Sequence, residues 1–325
     1  MRRSLILGLA MLAMPAHALD LQGHRGARGL APENTLPAFA TALSVGVTTL
    51  EFDTAITKDG VLVIAHDRKL NADITKGPDG QYITAPTPVI RALTLAEIKR
   101  YDVGTIDPAT RYAKTFASQH AVPGTTMPTL AELAALVRKS GNATVRFNIE
   151  TKLSPAAPDE TVDPGTFASM LVAALRAEGI ADRATIQSFD WRTLKAMQRI
   201  APEIPTVCLT VARGANDNVQ TGRPGPSPWL AGLDVDEFGG SVPRLVKAAG
   251  CAVWSPFFRD LTAASLAEAK SLGLSVVVWT INDPADMARL IDMGVDGIIT
   301  DYPDRLRTVA AEKNIALPMP TPVEP

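Results

Sequence analysis

Cysteine is nearly absent from this chain, with 2 residues in 325, so no disulfide framework can substitute for a core. An excess of one charge is missing too: 32 Lys and Arg stand against 34 Asp and Glu, with a sequence pI near 6.1. That balance excludes a global basic field able to hold a nucleic acid backbone. Beyond the first residues, no segment approaches the run of about 18 apolar residues that a bilayer span needs. No GxGxxG follows the first apolar run, which argues against a dinucleotide-binding fold. What is present is ordinary globular composition, 46% hydrophobic and 20% charged. It excludes disorder, a collagen-like repeat and a coiled coil as the main description. The length suits one large α/β domain or two smaller ones.

The N-terminus has its own signature. Met1-Arg2-Arg3 is positively charged, residues 4–14 are apolar, Pro15 breaks the run, and Ala16-His17-Ala18 is a small-x-small cleavage site. Such a run is too short to span a bilayer and is the length of a secretory signal. We therefore read 1–18 as a signal, Leu19 as the mature start, and the mature protein as soluble and periplasmic or secreted. No lipobox cysteine follows, since the cysteines are Cys208 and Cys251.

From Leu19 onward, strand and helix patterns alternate. Strands are expected over 19–24, 48–54, 61–65, 144–152, 184–189, 205–211, 252–256, 274–280 and 297–300. The second and third of these form a hairpin about Lys58-Asp59-Gly60. Helices are expected over 33–45, 129–139, 165–178, 191–200, 242–249, 262–271, 284–293 and 304–313. The 129–139 helix opens on a Thr129/Glu132 capping box. With the hairpin counted once, the alternation gives about eight units, which favours a closed (β/α)₈ barrel, the TIM barrel, over an open doubly wound sheet. Residues 67–127 break the repeat and read as a small insertion after the second strand, a lid or wall above the catalytic face. The barrel domain spans 19–316, and the proline-rich 317–325 reads as a mobile tail.

Polar residues gather at strand ends, where such barrels do their chemistry. The first strand ends in His24-Arg25-Gly26. The second carries Glu51 and Asp53, two apart and hence on one face. The hairpin ends in His66-Asp67, and the third barrel strand carries Glu150 and Lys152, again two apart. Clustered carboxylates take up protons unless something compensates them. A divalent cation does so, and an all-oxygen donor set suits Ca²⁺ or Mg²⁺. His24 and His66 are then free for proton transfer. Arg25 and Lys152 suit an anionic phosphate ester. Together these groups describe phosphodiester cleavage.

The same residues resemble a known family. The stretch from His24-Arg25-Gly26 to Pro32-Glu33-Asn34-Thr35, with Glu51-Phe52-Asp53 and His66-Asp67, is similar to the glycerophosphodiester phosphodiesterases. The likeness resumes at Glu150 and Lys152, Gln187-Ser188-Phe189-Asp190, Val278-Trp279-Thr280-Ile281-Asn282 and Asp296 to Pro303. The resemblance implies a (β/α)₈ barrel that hydrolyses glycerophosphodiesters to glycerol 3-phosphate and an alcohol. It implies metal ligands at Glu51, Asp53 and Glu150 and catalytic roles for His24 and His66. It also implies phosphate contacts from Arg25 and Lys152, with Trp279 lining the glycerol or leaving-group pocket.

Blander assignments accompany these. Glu33 and Asn34 are expected to cap the first helix. Gln187 and Asp301 are expected to support the site from behind. Cys208 and Cys251 are expected as buried free thiols, although an oxidising compartment would let them bridge. His120 is expected on the surface of the insertion. A non-catalytic periplasmic binding protein for phosphorylated ligands remains an alternative, but a binder needs no acid–base pair. A phospholipase D-like or phosphoinositide-specific phospholipase on the same fold is a second. It would have to reach a bilayer, and no basic amphipathic helix offers a docking face. No stable membrane association is expected.

Overall fold

The computed structural model describes residues 19–325; the secretory signal assigned to 1–18 lies outside the described residues. The strands are β1 (Asp20–Gly23), β2 (Thr49–Ile56), β3 (Leu62–Ile64), β4 (Arg146–Thr151), β5 (Ala184–Ser188), β6 (Thr206–Thr210), β7 (Val253–Pro256), β8 (Ser275–Val278) and β9 (Gly297–Thr300). Their order is β1-β9-β8-β7-β6-β5-β4-β2, and a β1–β2 pairing closes the ring. All eight strands of the ring pair in parallel, while β3 lies antiparallel on β2. This is the closed (β/α)₈ barrel that the alternation predicts.

The helices are α1 (Leu36–Val45), α2 (Leu95–Ile98), α3 (Arg111–Thr115), α4 (Leu130–Lys139), α5 (Pro164–Ala177), α6 (Trp191–Ile200), α7 (Val242–Ala248), α8 (Ala263–Ser271), α9 (Pro284–Met293) and α10 (Pro303–Glu312). Side-chain caps start most of them: Thr129 and Glu132 form the reciprocal box on α4, and Asp163, Asp190 and Asp283 cap α5, α6 and α9. Strand alternation divides the core. On β2, Leu50 and Phe52 are buried, with Phe52 packing edge-on between Phe39 of α1 and Phe147 of β4. The intervening Glu51 and Asp53 share the opposite face, inside the barrel.

The insertion holds α2 and α3 and a small core of its own. Leu70, Ile90, Ile98, Val103 and Met127 pack there against Ala55 and Val63 of the hairpin. The tail departs from expectation. Thr321 N donates to Leu43 O at 2.9 Å, Arg307 Nη1 donates to Pro318 O at 2.7 Å, and Leu317 and Val323 pack on the core. The prolines reduce the entropy lost on docking, because their φ is already fixed.

The cysteines also depart from expectation. Cys208 on β6 and Cys251, just before β7, form a disulfide with a Cα–Cα separation of 5.9 Å. Neighbouring parallel strands bring the two residues within bridging distance, a placement that spacing along the chain does not reveal. Closing a loop of 43 residues removes denatured-state entropy worth about 4 kcal/mol in the chain-entropy model. We expect Cys208→Ala/Cys251→Ala to lower the urea unfolding free energy by about 2–4 kcal/mol. Denatured, unreduced protein should show no titratable thiol; two reactive thiols per chain would refute the bridge.

Candidate active site

The loop after β1 is built tightly. Gly26 takes φ 83°, and a Cβ there would sit 2.8 Å from the backbone of Ala38. Only glycine fits such a position without displacing α1. The turn points the backbone N–H of Arg25 at Glu51, donating to Oε2 at 2.9 Å. It also brings His24 Nε2 within 3.9 Å of the same oxygen.

Register places the acids. Asp53 on β2 is the direct neighbour of Glu150 on β4, and Glu150 is the neighbour of Gln187 on β5. One ligand oxygen from each of Glu51, Asp53 and Glu150 lies within 4.8 Å of the others, and all three residues are buried. Two cations share this charge. Lys152 Nζ lies 2.7 Å from Glu150 and 3.0 Å from Asp53, and Arg25 Nε lies 3.4 Å from Asp53. Among the described residues Glu51 has neither; beside the Arg25 amide it accepts from Gln187 Nε2, at 2.6 Å.

The titration behaviour follows from this distribution. Burial and the neighbouring Asp53 push Glu51 well above the carboxylate range. Burial would raise Asp53 as well, but Lys152, His66 and Arg25 outweigh it and hold Asp53 well below its usual value. Burial pushes Glu150 up to about 7 against the pull of Lys152. Among the described residues the site thus lacks positive charge on the Glu51 side, whereas Asp53 Oδ1 is paired with Lys152 Nζ at 3.0 Å. An all-oxygen, partly uncompensated set of this kind fits a hard divalent cation.

Both histidines are oriented by carboxylates. His24 Nδ1 lies 2.6 Å from Asp301 Oδ1, and His66 Nδ1 lies 2.8 Å from Asp67 Oδ1. Burial and Arg28 push His24 down to about 4 despite Asp301; burial, Arg25 and Lys152 depress His66. Burial would raise Asp301, but Arg28 and His24 keep it ionised far below its usual range.

Of the residues expected to form the site, His24, Arg25, Glu51, His66, Glu150, Lys152 and Trp279 line one cavity of about 90 Å³ at the barrel mouth. Asp53 does not line it; it lies beneath and holds the two cations. Phe189, Leu209 and Trp279 give the cavity an apolar side. Trp279 stacks edge-on with Phe189 at 5.4 Å and donates Nε1 to Ser255 O at 2.9 Å. Gln187 and Asp301 support Glu51 and His24 as expected, and His120 is exposed.

Glu33 and Asn34 are not caps. Thr35 caps α1, Asn34 sits at φ 55° with its amide donating to Asp53 Oδ2 at 2.9 Å, and Glu33 accepts from Arg25 Nη1 at 2.7 Å. The buried charges draw both residues out of the helix. Arg28 and Tyr112 are site residues that sequence reasoning missed. Arg28 donates twice to Asp301, at 2.8 and 3.1 Å, and once to the Tyr112 hydroxyl at 3.3 Å. Arg28 carried a faint signal as a charge in a loop of small residues; Tyr112, inside the insertion, carried none.

Known proteins resemble this chain over most of its length. The model of the glycerophosphoryl diester phosphodiesterase family matches residues 24–305. A glycerophosphodiester phosphodiesterase of Bacillus subtilis is 30% identical over 296 residues, 88% of this chain and 84% of that protein. One from Caldanaerobacter subterraneus subsp. tengcongensis is 29% identical over 283 residues, 87% and 94% of the two chains. The crystal structure of a candidate glycerophosphoryl diester phosphodiesterase from Silicibacter pomeroyi superimposes with a TM-score of 0.81 at 35% identity, covering 93% of this chain and 96% of that one. The matched span contains every residue of the cavity just described, and the chain belongs to the glycerophosphoryl diester phosphodiesterase family of enzymes.

Proposed function

We propose that the protein hydrolyses glycerophosphodiesters to glycerol 3-phosphate and an alcohol. Glu51, Asp53 and Glu150 hold one divalent cation, Ca²⁺ or Mg²⁺, and His24 and His66 exchange protons. The observation that carries this reading is that Glu51, Glu150, Lys152, Arg25 and both imidazoles share one cavity, with an Asp53 oxygen within 4.8 Å of the other two acids. When bound, such a cation neutralises a phosphate oxygen and lowers the pKa of an oxygen nucleophile.

The chain's own residues supply the rest. An ionised carboxylate only accepts hydrogen bonds, so Asp301 fixes the proton of neutral His24 on Nδ1. Nε2 is then an open lone pair facing Glu51 and the cavity, which suits a general base. Asp67 orients His66 in the same way. An anionic diester neutralises Arg25 and Lys152, the two cations that depress His66, and so favours its protonated, acid form. Arg25 and Lys152 balance charge on the phosphoryl oxygens. The apolar wall of Phe189, Leu209 and Trp279 accommodates the carbon skeleton of glycerol or of the leaving alcohol.

Export is part of the proposal. The sequence pattern of 1–18 supports it, and so does the Cys208–Cys251 bridge, since such bonds persist in oxidising compartments. Among the described residues no helix is long and apolar enough to cross a membrane, and no stable membrane association or nucleic acid partner is proposed.

A panel of glycerophosphodiesters, assayed with Ca²⁺ and with Mg²⁺, tests the reaction. Glycerophosphocholine should be cleaved much faster than phosphatidylcholine vesicles, and chelation should abolish turnover until metal is restored. Full activity after exhaustive chelation, with no metal by elemental analysis, would overturn the metal assignment. Faster vesicle cleavage would favour the phospholipase reading.

The histidine roles separate by leaving group. His66→Ala should lose roughly 10²–10⁴-fold on glycerophosphocholine, whose alcohol needs a proton. It should lose far less on a nitrophenol analogue, and His24→Ala should be poor on both. Rescue of His24→Ala in place of His66→Ala would reverse the roles.

Export is checked by expressing the full chain and sequencing the mature protein. Its N-terminus should be Leu19, in a fraction outside the cytoplasm; a retained Met1 would contradict it.

A further inference from the structure

The insertion is bound directly to the loop that carries His24 and Arg25. Ser118 Oγ donates to Gly29 O at 3.0 Å, Gln119 Nε2 to Arg28 O at 2.7 Å, and His120 N to Leu30 O at 2.9 Å. Within this seam, α3 presents Tyr112. Its hydroxyl donates to Glu33 Oε2 and accepts from Arg28 Nη1. The Tyr112 ring packs on Phe116 at 4.8 Å, and Phe116 lies under the Arg28 guanidinium, 4.6 Å from ring centre to Cζ. Tyr112 does not line the reaction cavity.

Two arms leave that hydroxyl. One runs through Arg28 to Asp301 and on to His24 Nδ1. The other runs through Glu33 to Arg25 Nη1. A fork-on-fork guanidinium fixes the plane of the carboxylate it grips. The plane of Asp301 in turn fixes the imidazole, and with it the direction of Nε2. On the other arm, Glu33 fixes the rotamer of Arg25.

We propose that Tyr112 is a positioning residue: by bridging Arg28 and Glu33 it sets, from the insertion, the orientation of His24 and Arg25 together. The proposal rests on the phosphodiesterase reading above for its kinetic consequence, and on contacts alone for its structural one.

Tyr112→Phe tests it, because it removes the hydroxyl and keeps the ring packing. On glycerophosphocholine with saturating metal, kcat should fall about tenfold, within the roughly 10²-fold that a misplacement of about 1 Å can cost. KM should stay within about twofold, and the protein should stay fully folded at the assay temperature although the buried hydrogen bonds of the hydroxyl are lost. Arg28→Lys keeps the charge but loses the fork, and should show the same pattern. The double variant should fall short of the product of the two single losses, since the Arg28 arm is common to both while the Glu33 arm is lost with Tyr112 alone. The His24 Nδ1 proton resonance, sharp in the wild type, should broaden in Tyr112→Phe. Wild-type kcat in Tyr112→Phe, a loss confined to KM, a loss that tracks unfolding at the assay temperature, or additive effects in the double variant would each overturn the proposal. A wild-type protein without glycerophosphodiester turnover would overturn the functional reading instead. The His24 resonance would then decide the positioning role: broadening in Tyr112→Phe supports it, and an unchanged signal refutes it.

Discussion

Three carboxylates buried side by side at one end of a parallel barrel are the constraint around which the rest of the molecule is arranged. Glu51, Asp53 and Glu150 are each within reach of the others, where mutual repulsion and lost hydration both oppose ionisation. Lys152 directly follows β4, the strand that carries Glu150, so the run of the backbone brings its charge to Asp53 and Glu150. Compensation for Asp53 from the other side depends on Arg25, held by a left-handed turn at φ 50°. Glu51 receives two hydrogen bonds and no cation of comparable closeness. The charge balance is therefore lopsided by construction, and the deficit lies where the cavity opens.

The same imbalance explains the shape of the first loop. Without the acids below, Glu33 and Asn34 would extend α1 by one turn, as their position before a helical pattern suggests. Instead Asn34 turns its amide to Asp53 and Glu33 captures Arg25. A helical turn is worth little on its own at a helix end, whereas an unpaired buried charge costs several kcal/mol. The loop gives up regular structure to satisfy the barrel.

What was legible in the sequence follows the distance over which contacts act. Glu51 with Asp53, and Glu150 with Lys152, are two apart on strands, and periodicity alone puts each pair on one face. The eight-unit alternation gave the barrel, and its geometry brought the strand ends together. Arg28 and Asp301 are separated by 273 residues, and Tyr112 and Glu33 by 79. No local pattern encodes such pairs. The disulfide and the docked tail were missed for the same reason: Cys208 and Cys251 become neighbours only when β6 and β7 pair, and Thr321 meets Leu43 only across the closed barrel.

The insertion shows how these two kinds of information divide. Its small core of Leu70, Ile90, Ile98, Val103 and Met127 anchors it to the hairpin, away from the acids. Residues 111–120 are the part that reaches the loop after β1. Lengthening the rest costs little, because loop-closure entropy grows only slowly with length. Moving Tyr112 relative to Arg28 and Glu33 is different, since a hydrogen bond weakens steeply with distance and angle. The strands alone bring the carboxylates together, but the Asp301 carboxylate that orients His24 is gripped from two sides, by Asn282 of the barrel at 2.7 Å and by Arg28, whose partner Tyr112 belongs to the insertion. The site therefore combines a charge arrangement set by strand register with an imidazole orientation that a segment outside the (β/α)₈ repeat helps to set.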